Sequence, residues 1–178
     1  MCGSSSRSPY DRCMTRALVL IDLQPRIVAL SLAPHTGDDV VRRAFRLAEA
    51  HRAAGLPVVL VRTDRPGVPE QPPGSELVEG LAQPGDVIVV KHTIGGFHET
   101  DLHERLQEAG AATLAFAGIV TNMGVESTAR AASDHDYELE FVSDAMSGFT
   151  AEEHDLAVNR VFPRFGTVLT TDELIAKL

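Results

Sequence analysis

Thr113–Arg130 reads TLAFAGIVTNMGVESTAR, and its two halves follow different patterns. Thr113–Ala117 is a short apolar run, as expected of a strand buried on both faces. Gly118–Gly124 is a glycine-bounded turn, and Asn122–Asp134 then reads as a helix. A strand that turns straight into a helix is half of a βαβ unit, which builds parallel sheets. The same alternation extends in both directions. Upstream, Ala17–Leu23 (ALVLIDL), Pro57–Val61 (PVVLV) and Val87–Lys91 (VIVVK) are further apolar strands. Between them Asp38–Ala54 is helical, with Val41, Phe45 and Ala48 on one face, and Gly55 and Pro57 stop it. Gly74–Gln83 reads as a short helix in a Pro/Gly-rich loop, and Thr100 as the N-cap of Asp101–Ala109. Downstream, Tyr137–Val142 alternates Leu139 and Phe141 with Glu138 and Glu140, the pattern of a strand nearer an edge. Thr150 and Glu153 form a capping box for Ala151–Phe162. Thr167–Leu169 is a last strand, and Thr170 with Glu173 caps a final helix. The expectation is a single three-layer α/β/α domain, with a mostly parallel sheet of five to six strands and helices on both faces.

Composition narrows the function. The 178 residues carry 16 Lys plus Arg against 25 Asp plus Glu, a net charge of −9. A nucleic-acid or anionic-membrane binder needs a basic stripe, and none is present. No apolar run approaches the length of a membrane span. Met1–Arg16 lacks the apolar stretch of a secretory signal, which makes a cytoplasmic protein the expectation. Both cysteines, Cys2 and Cys13, fall within Met1–Cys13, a Ser-rich segment expected to be a flexible extension ahead of a domain from Met14 to Leu178. A disulfide framework and a thiol nucleophile in the domain body are thereby excluded.

In an open parallel sheet, ligands bind beyond the carboxyl ends of the strands. Three features lie there: Asp22, Lys91 and the turn Gly118–Gly124. A buried Asp22 and a buried Lys91 each need a partner, and pairing them at neighbouring strand ends answers both. Such a pair is either a structural ion pair or a functional one; buried pairs seldom add stability over apolar residues. The turn offers free N–H groups to an anion, although glycine there also suits any tight βα turn. His92, His98 and His103 lack the spacing of a metal site, so neither a metal nor a cofactor is expected. Glu126 and Arg130, four apart, read as a surface ion pair.

Taken together, ALVLIDLQ (Asp22, Gln24), KHTIGGFHETDL (Lys91, Phe97, Thr100, Leu102) and AGIVTNMGVESTARAASDHDYELEFVSDA resemble the isochorismatase-like, or cysteine hydrolase, superfamily. The tail EEHDLAVNRVFPRFGTVLTTDEL is similar as well, so the resemblance runs from Met14 to the C-terminus. It implies a Rossmann-like sheet, a homodimer or larger homo-oligomer, and a non-proline cis peptide at Ile119–Val120. It also implies an Asp–Lys–Cys catalytic set. Asp22 and Lys91 fall on the first two, but Gly124 stands where most members have the cysteine. The segment after the second strand, VRTDRPGVPE, has Asp64 but no histidine, unlike the metal-binding segment of nicotinamidases.

Isochorismatases also have glycine at this position, and they hydrolyse a vinyl ether without a covalent intermediate. The resemblance therefore implies a small carboxylate substrate, with isochorismate as the example, and Asp22 as general acid. Lys91 would hold the substrate carboxylate or the geometry, Gln24 would position the water or the acid, and Phe97 would be pocket wall or core. Gly124 would leave space, and the amides of Val120 and Gly124 would be oxyanion donors. Lys91, Arg26, Arg62 and His92 are the candidates for local positive charge. The competing reading is a catalytically silent relative that binds a small molecule or serves in assembly.

Overall fold

The computed structural model describes residues 15–178, so the expected N-terminal extension lies outside the described residues. The strands are β1 (Thr15–Ile21), β2 (Val58–Thr63), β3 (Val87–Lys91), β4 (Ala111–Ile119), β5 (Glu138–Ser147) and β6 (Thr167–Leu169). The helices are α1 (Pro25–Val28), α2 (Gly37–Ala53), α3 (Leu102–Glu108), α4 (Glu126–Asp134), α5 (Ala151–Leu156) and α6 (Thr171–Ile175). The six strands form one sheet in the order β3-β2-β1-β4-β5-β6, and every neighbouring pair is parallel.

Alternation along β1 divides the core. Ala17, Val19 and Ile21 join the face covered by Leu102 and Leu106 of α3 and Ala129 and Ala132 of α4. Leu18 and Leu20 join the opposite face, covered by Val40, Ala44 and Leu47 of α2 and Leu174 of α6. Both faces of the sheet are thus buried, which is why the strands read as unbroken apolar runs. The chain leaves β1 towards β2 and β3 and later returns on the other side as β4. The strand order therefore reverses between β1 and β4, the switch point beyond whose carboxyl ends open parallel sheets bind ligands.

Several local readings change. Gly74–Gln83 forms turns, because Gly74 and Gly80 take left-handed backbone (φ 79° and 77°) and Pro72 and Pro73 precede them. The buried stripe of α2 is Val40, Ala44, Leu47, Ala48 and His51; Val41 and Phe45 flank it, half-buried. Pro25 opens α1, a four-residue helix too short to show a period. The expected helix from Ala151 to Phe162 keeps its capping box, but α5 passes at Ala157 into a wider π turn and then a 3-10 turn. α3 begins at Leu102 with Asp101 at its N-cap, although the Thr100 hydroxyl does accept the Leu102 N–H at 3.3 Å. Among the described residues no helix is long and apolar enough to cross a membrane.

Candidate active site

β1 ends at Ile21, and Asp22 turns the chain with φ at +54°, a conformation uncommon outside glycine and asparagine-like residues. Its N–H still donates to Val61 O at 2.8 Å, so the turn begins from a fixed point on β2. Gly118 makes this crowding possible. A Cβ there would lie 2.2 Å from Ile21 O, so no other residue fits where β4 passes the end of β1. The Ile119–Val120 peptide that follows is cis, at the position the resemblance pointed to. Thr121–Val125 is then wound as a π turn rather than as the first turn of α4.

Asp22 and Lys91 meet: Lys91 Nζ lies 2.8 Å from Asp22 Oδ2. Their strands are not neighbours, because β2 lies between β1 and β3. The gap of two strand spacings, about 10 Å, is bridged by the four-carbon stem of the lysine. Lys91 is 2% exposed and Asp22 6%. The ammonium also donates to Ile94 O at 2.8 Å and Thr93 O at 3.3 Å, so its three hydrogens all have acceptors. The carboxylate is only half used, since Asp22 Oδ1 is buried and has no hydrogen-bond partner. Burial pushes the Asp22 carboxyl above its ordinary value, against the lowering pull of Lys91 and, more weakly, Arg26.

Gly124 completes the group. A Cβ at this position would stand 2.9 Å from Asp22 Oδ2, 3.1 Å from Ile21 Cγ2 and 3.5 Å from Lys91 Nζ. The Asp22 carboxylate thus occupies space that any side chain at 124 would need. Val120, 7% exposed, begins the same turn, and its carbonyl accepts the Met123 N–H at 3.1 Å.

Two expected site residues are engaged elsewhere. The Gln24 amide is fully buried: it donates to Thr63 O and Ser75 O and accepts the Thr63 N–H. It ties the end of β1 to β2 and the following loop, and both of its amide hydrogens are taken. The Phe97 ring packs against His103, His135 and Tyr137 and the core, on the segments leading into the amino ends of β4 and β5. Of the candidate cations, Arg62 is paired with Asp64, and the exposed His92 contacts Asp64 O. Arg26 donates to Thr63 O at 3.1 Å. Glu126 and Arg130 do form a surface pair, at 2.8 Å. Among the described residues no group of three or more His, Cys, Asp or Glu side chains could hold a metal.

Residue spacing did not reveal two supports. The Thr128 hydroxyl accepts the Gly96 N–H at 2.9 Å and donates to Gly124 O at 2.6 Å, which fastens the loop after Lys91 to the turn. The Thr121 hydroxyl is 2.8 Å from His154 Nδ1, in a buried contact between residues 33 apart in sequence.

Comparison with known proteins identifies the fold. The Isochorismatase domain model matches residues 16–173. An uncharacterized isochorismatase family protein of Escherichia coli O157:H7, YecD, is 38% identical, covering 92% of this chain and 96% of its own. A probable isochorismatase of Pseudomonas chlororaphis is 27% identical over 90% of this chain and 85% of its own. A solved isochorismatase family protein of Burkholderia thailandensis superposes with a TM-score of 0.85 at 40% identity, covering 91% and 94% of the two chains. With the domain matched from β1 to α6 and a fold shared at this level of identity, the chain belongs to the isochorismatase family of hydrolases.

Proposed function

We propose that this hydrolase cleaves a vinyl ether of a small carboxylic acid, of the isochorismate type, with Asp22 as the general acid. The half-used carboxylate carries this reading. Oδ2 is fixed by Lys91, and the buried Oδ1, free of partners, is where a transferable proton would sit. Desolvation keeps that proton on at a higher pH than an exposed aspartate would. Residues 14–178 contain no cysteine, so a thiol-acyl route is closed, whereas vinyl-ether hydrolysis needs no nucleophile from the protein.

In this mechanism the Oδ1 proton moves to the methylene carbon of the enolpyruvyl group. The double-bond electrons form the new C–H bond, and the cation left on the adjacent carbon is shared with the ether oxygen. Water adds to that carbon and returns a proton to Asp22. The hemiketal then breaks its bond to the ring oxygen, releasing pyruvate and an alcohol. Lys91 orients the acid rather than binding substrate, since its hydrogens are all engaged. Gly124 leaves Asp22 its place. The likeness to a probable isochorismatase supports the substrate class.

The test is pyruvate release from isochorismate, wild type beside Asp22→Ala. Pyruvate from wild type alone is the expected result. A wild type that binds isochorismate but releases none would instead mark a silent relative.

A further inference from the structure

A substrate that carries a carboxylate needs a cation within a protein of net charge −9, and of the four candidate cations Arg26 alone keeps a buried N–H without an acceptor. Lys91 has given its three hydrogens to Asp22, Thr93 and Ile94. Arg62 is neutralised by Asp64. The four arginines of α2 each hold a carboxylate: Arg42 pairs with Asp39, Arg43 with Asp144, Arg46 with Asp172 and Arg52 with Asp86. Arg26 forms no ion pair among the described residues.

Its position is fixed by backbone. The Arg26 N–H donates to Gly74 O at 3.2 Å, and Nη2 donates to Thr63 O at 3.1 Å. Thr63 is the last residue of β2 and is in register with Lys91 of β3, while Asp22 N–H is bonded to Val61 two residues earlier on β2. The guanidinium therefore lies over the carboxyl end of the strand that separates Asp22 from Lys91. It is close enough to add its pull to that of Lys91 on the Asp22 carboxyl.

Two buried polar atoms here lack partners. Asp22 Oδ1 has no donor, and Arg26 Nε has no acceptor. Buried polar groups rarely stay unsatisfied without a reason, and a guanidinium edge matches the two oxygens of a carboxylate. A bound carboxylate would supply the acceptor that Arg26 Nε lacks.

We infer that Arg26 is the carboxylate-recognition residue of this site, selecting anionic substrates and presenting their reactive end to Asp22. This deepens the proposed function and takes the substrate class from it. The test is designed to separate the two.

The probes are benzoate and its neutral counterpart benzamide, titrated calorimetrically into the full chain. Wild type is expected to bind benzoate at least about ten-fold more tightly than benzamide, since a charge-assisted hydrogen bond accounts for roughly one to two decades of affinity. Arg26→Gln should erase that preference while benzamide binding persists. Arg26→Lys, which keeps the charge but not the fork, should restore part of it. Thermal melting of both variants establishes that they are folded. A wild type without the preference, or an Arg26→Gln that retains it, would overturn the inference. If the preference follows Arg26 but isochorismate yields no pyruvate, the carboxylate subsite stands and the vinyl-ether reading falls. If pyruvate forms and the preference does not follow Arg26, the reverse holds.

Discussion

The sheet carries a carboxylate–cation pair towards each end, and the two are built differently. At the carboxyl end, Asp22 meets Lys91; towards the amino end, Glu140 of β5 meets Arg16 of β1. Burial does not separate them, since Asp22 is 6% exposed and Glu140 8%. Saturation does. Glu140 Oε2 takes Arg16 Nε at 2.6 Å, and Oε1 takes Arg16 Nη2 at 3.2 Å with Lys177 Nζ at 3.5 Å. Asp22 uses one oxygen and leaves the other bare. A forked pair with both oxygens filled locks β1 to β5 and has nothing left to offer. A half-filled carboxylate in a desolvated place keeps a position for a proton, and its raised pKa expresses that.

Matched carboxylate-to-amide substitutions should pull the two pairs apart. Asp22→Asn is expected to lower pyruvate release by about 10²- to 10⁴-fold, the usual contribution of a general acid, with the fold intact. In wild type the rate should fall as pH rises through the Asp22 value, because only the protonated form is the acid; that midpoint should lie above 3.8, the ordinary carboxyl value. Glu140→Gln is expected to leave the rate alone and cost about 1–3 kcal/mol in urea unfolding, since Arg16 and Lys177 retain some solvent. Equal losses of rate in the two variants, at a temperature where both are folded, would show that saturation does not distinguish chemistry from structure.

Gly124→Ala sharpens the comparison with a smaller effect. The new methyl would sit 2.9 Å from Asp22 Oδ2, so the carboxylate must move by a few tenths of an ångström. A displacement near 1 Å costs about 10²-fold in rate, so a loss of roughly ten-fold is expected here. Steady-state kinetics beside a urea melt would separate this from general damage. An unchanged rate would mean that the position of Asp22 is not what Gly124 protects.

Much of this was legible in the residues. The apolar strand runs gave the sheet and its layers, because parallel strands buried on both faces cannot hide their composition. Asp22 and Lys91 stood out because charge in such runs demands a partner. That they would meet across an intervening strand was not legible, since pairing order depends on crossovers rather than on local pattern. Gln24 and Phe97 show how far motif position reaches. Motif position puts them near the site, but the direction of a side chain follows from the backbone, and both turn to structural partners. Arg26 could be named as one of four cations; only its buried Nε without an acceptor, seen in three dimensions, singles it out. Thr121 and His154 left no signal at all, because a contact between residues 33 apart has no period.

The amino end also holds a group whose cost appears only in acid. His51 is fully buried: Nδ1 contacts Leu47 O at 2.8 Å, while Nε2 is buried without a partner. Burial holds its pKa below 6.5, nearby Arg16 adds to that, and the Leu47 carbonyl and Glu140 pull the other way. The native chain therefore resists a proton that the unfolded chain accepts. Stability from this group is complete above about pH 6.5 and drains away as pH falls from there towards the folded-state value, by at most about 1.4 kcal/mol per pH unit. His35 and His154 are lowered too and act in the same direction. Urea midpoints measured from pH 7.5 down to pH 5 should drop, and His51→Leu should make that drop shallower while Asp22 keeps its rate profile. If the slope is unchanged, the acid sensitivity belongs to His35 and His154 near the site, and the amino end is electrostatically inert over that range.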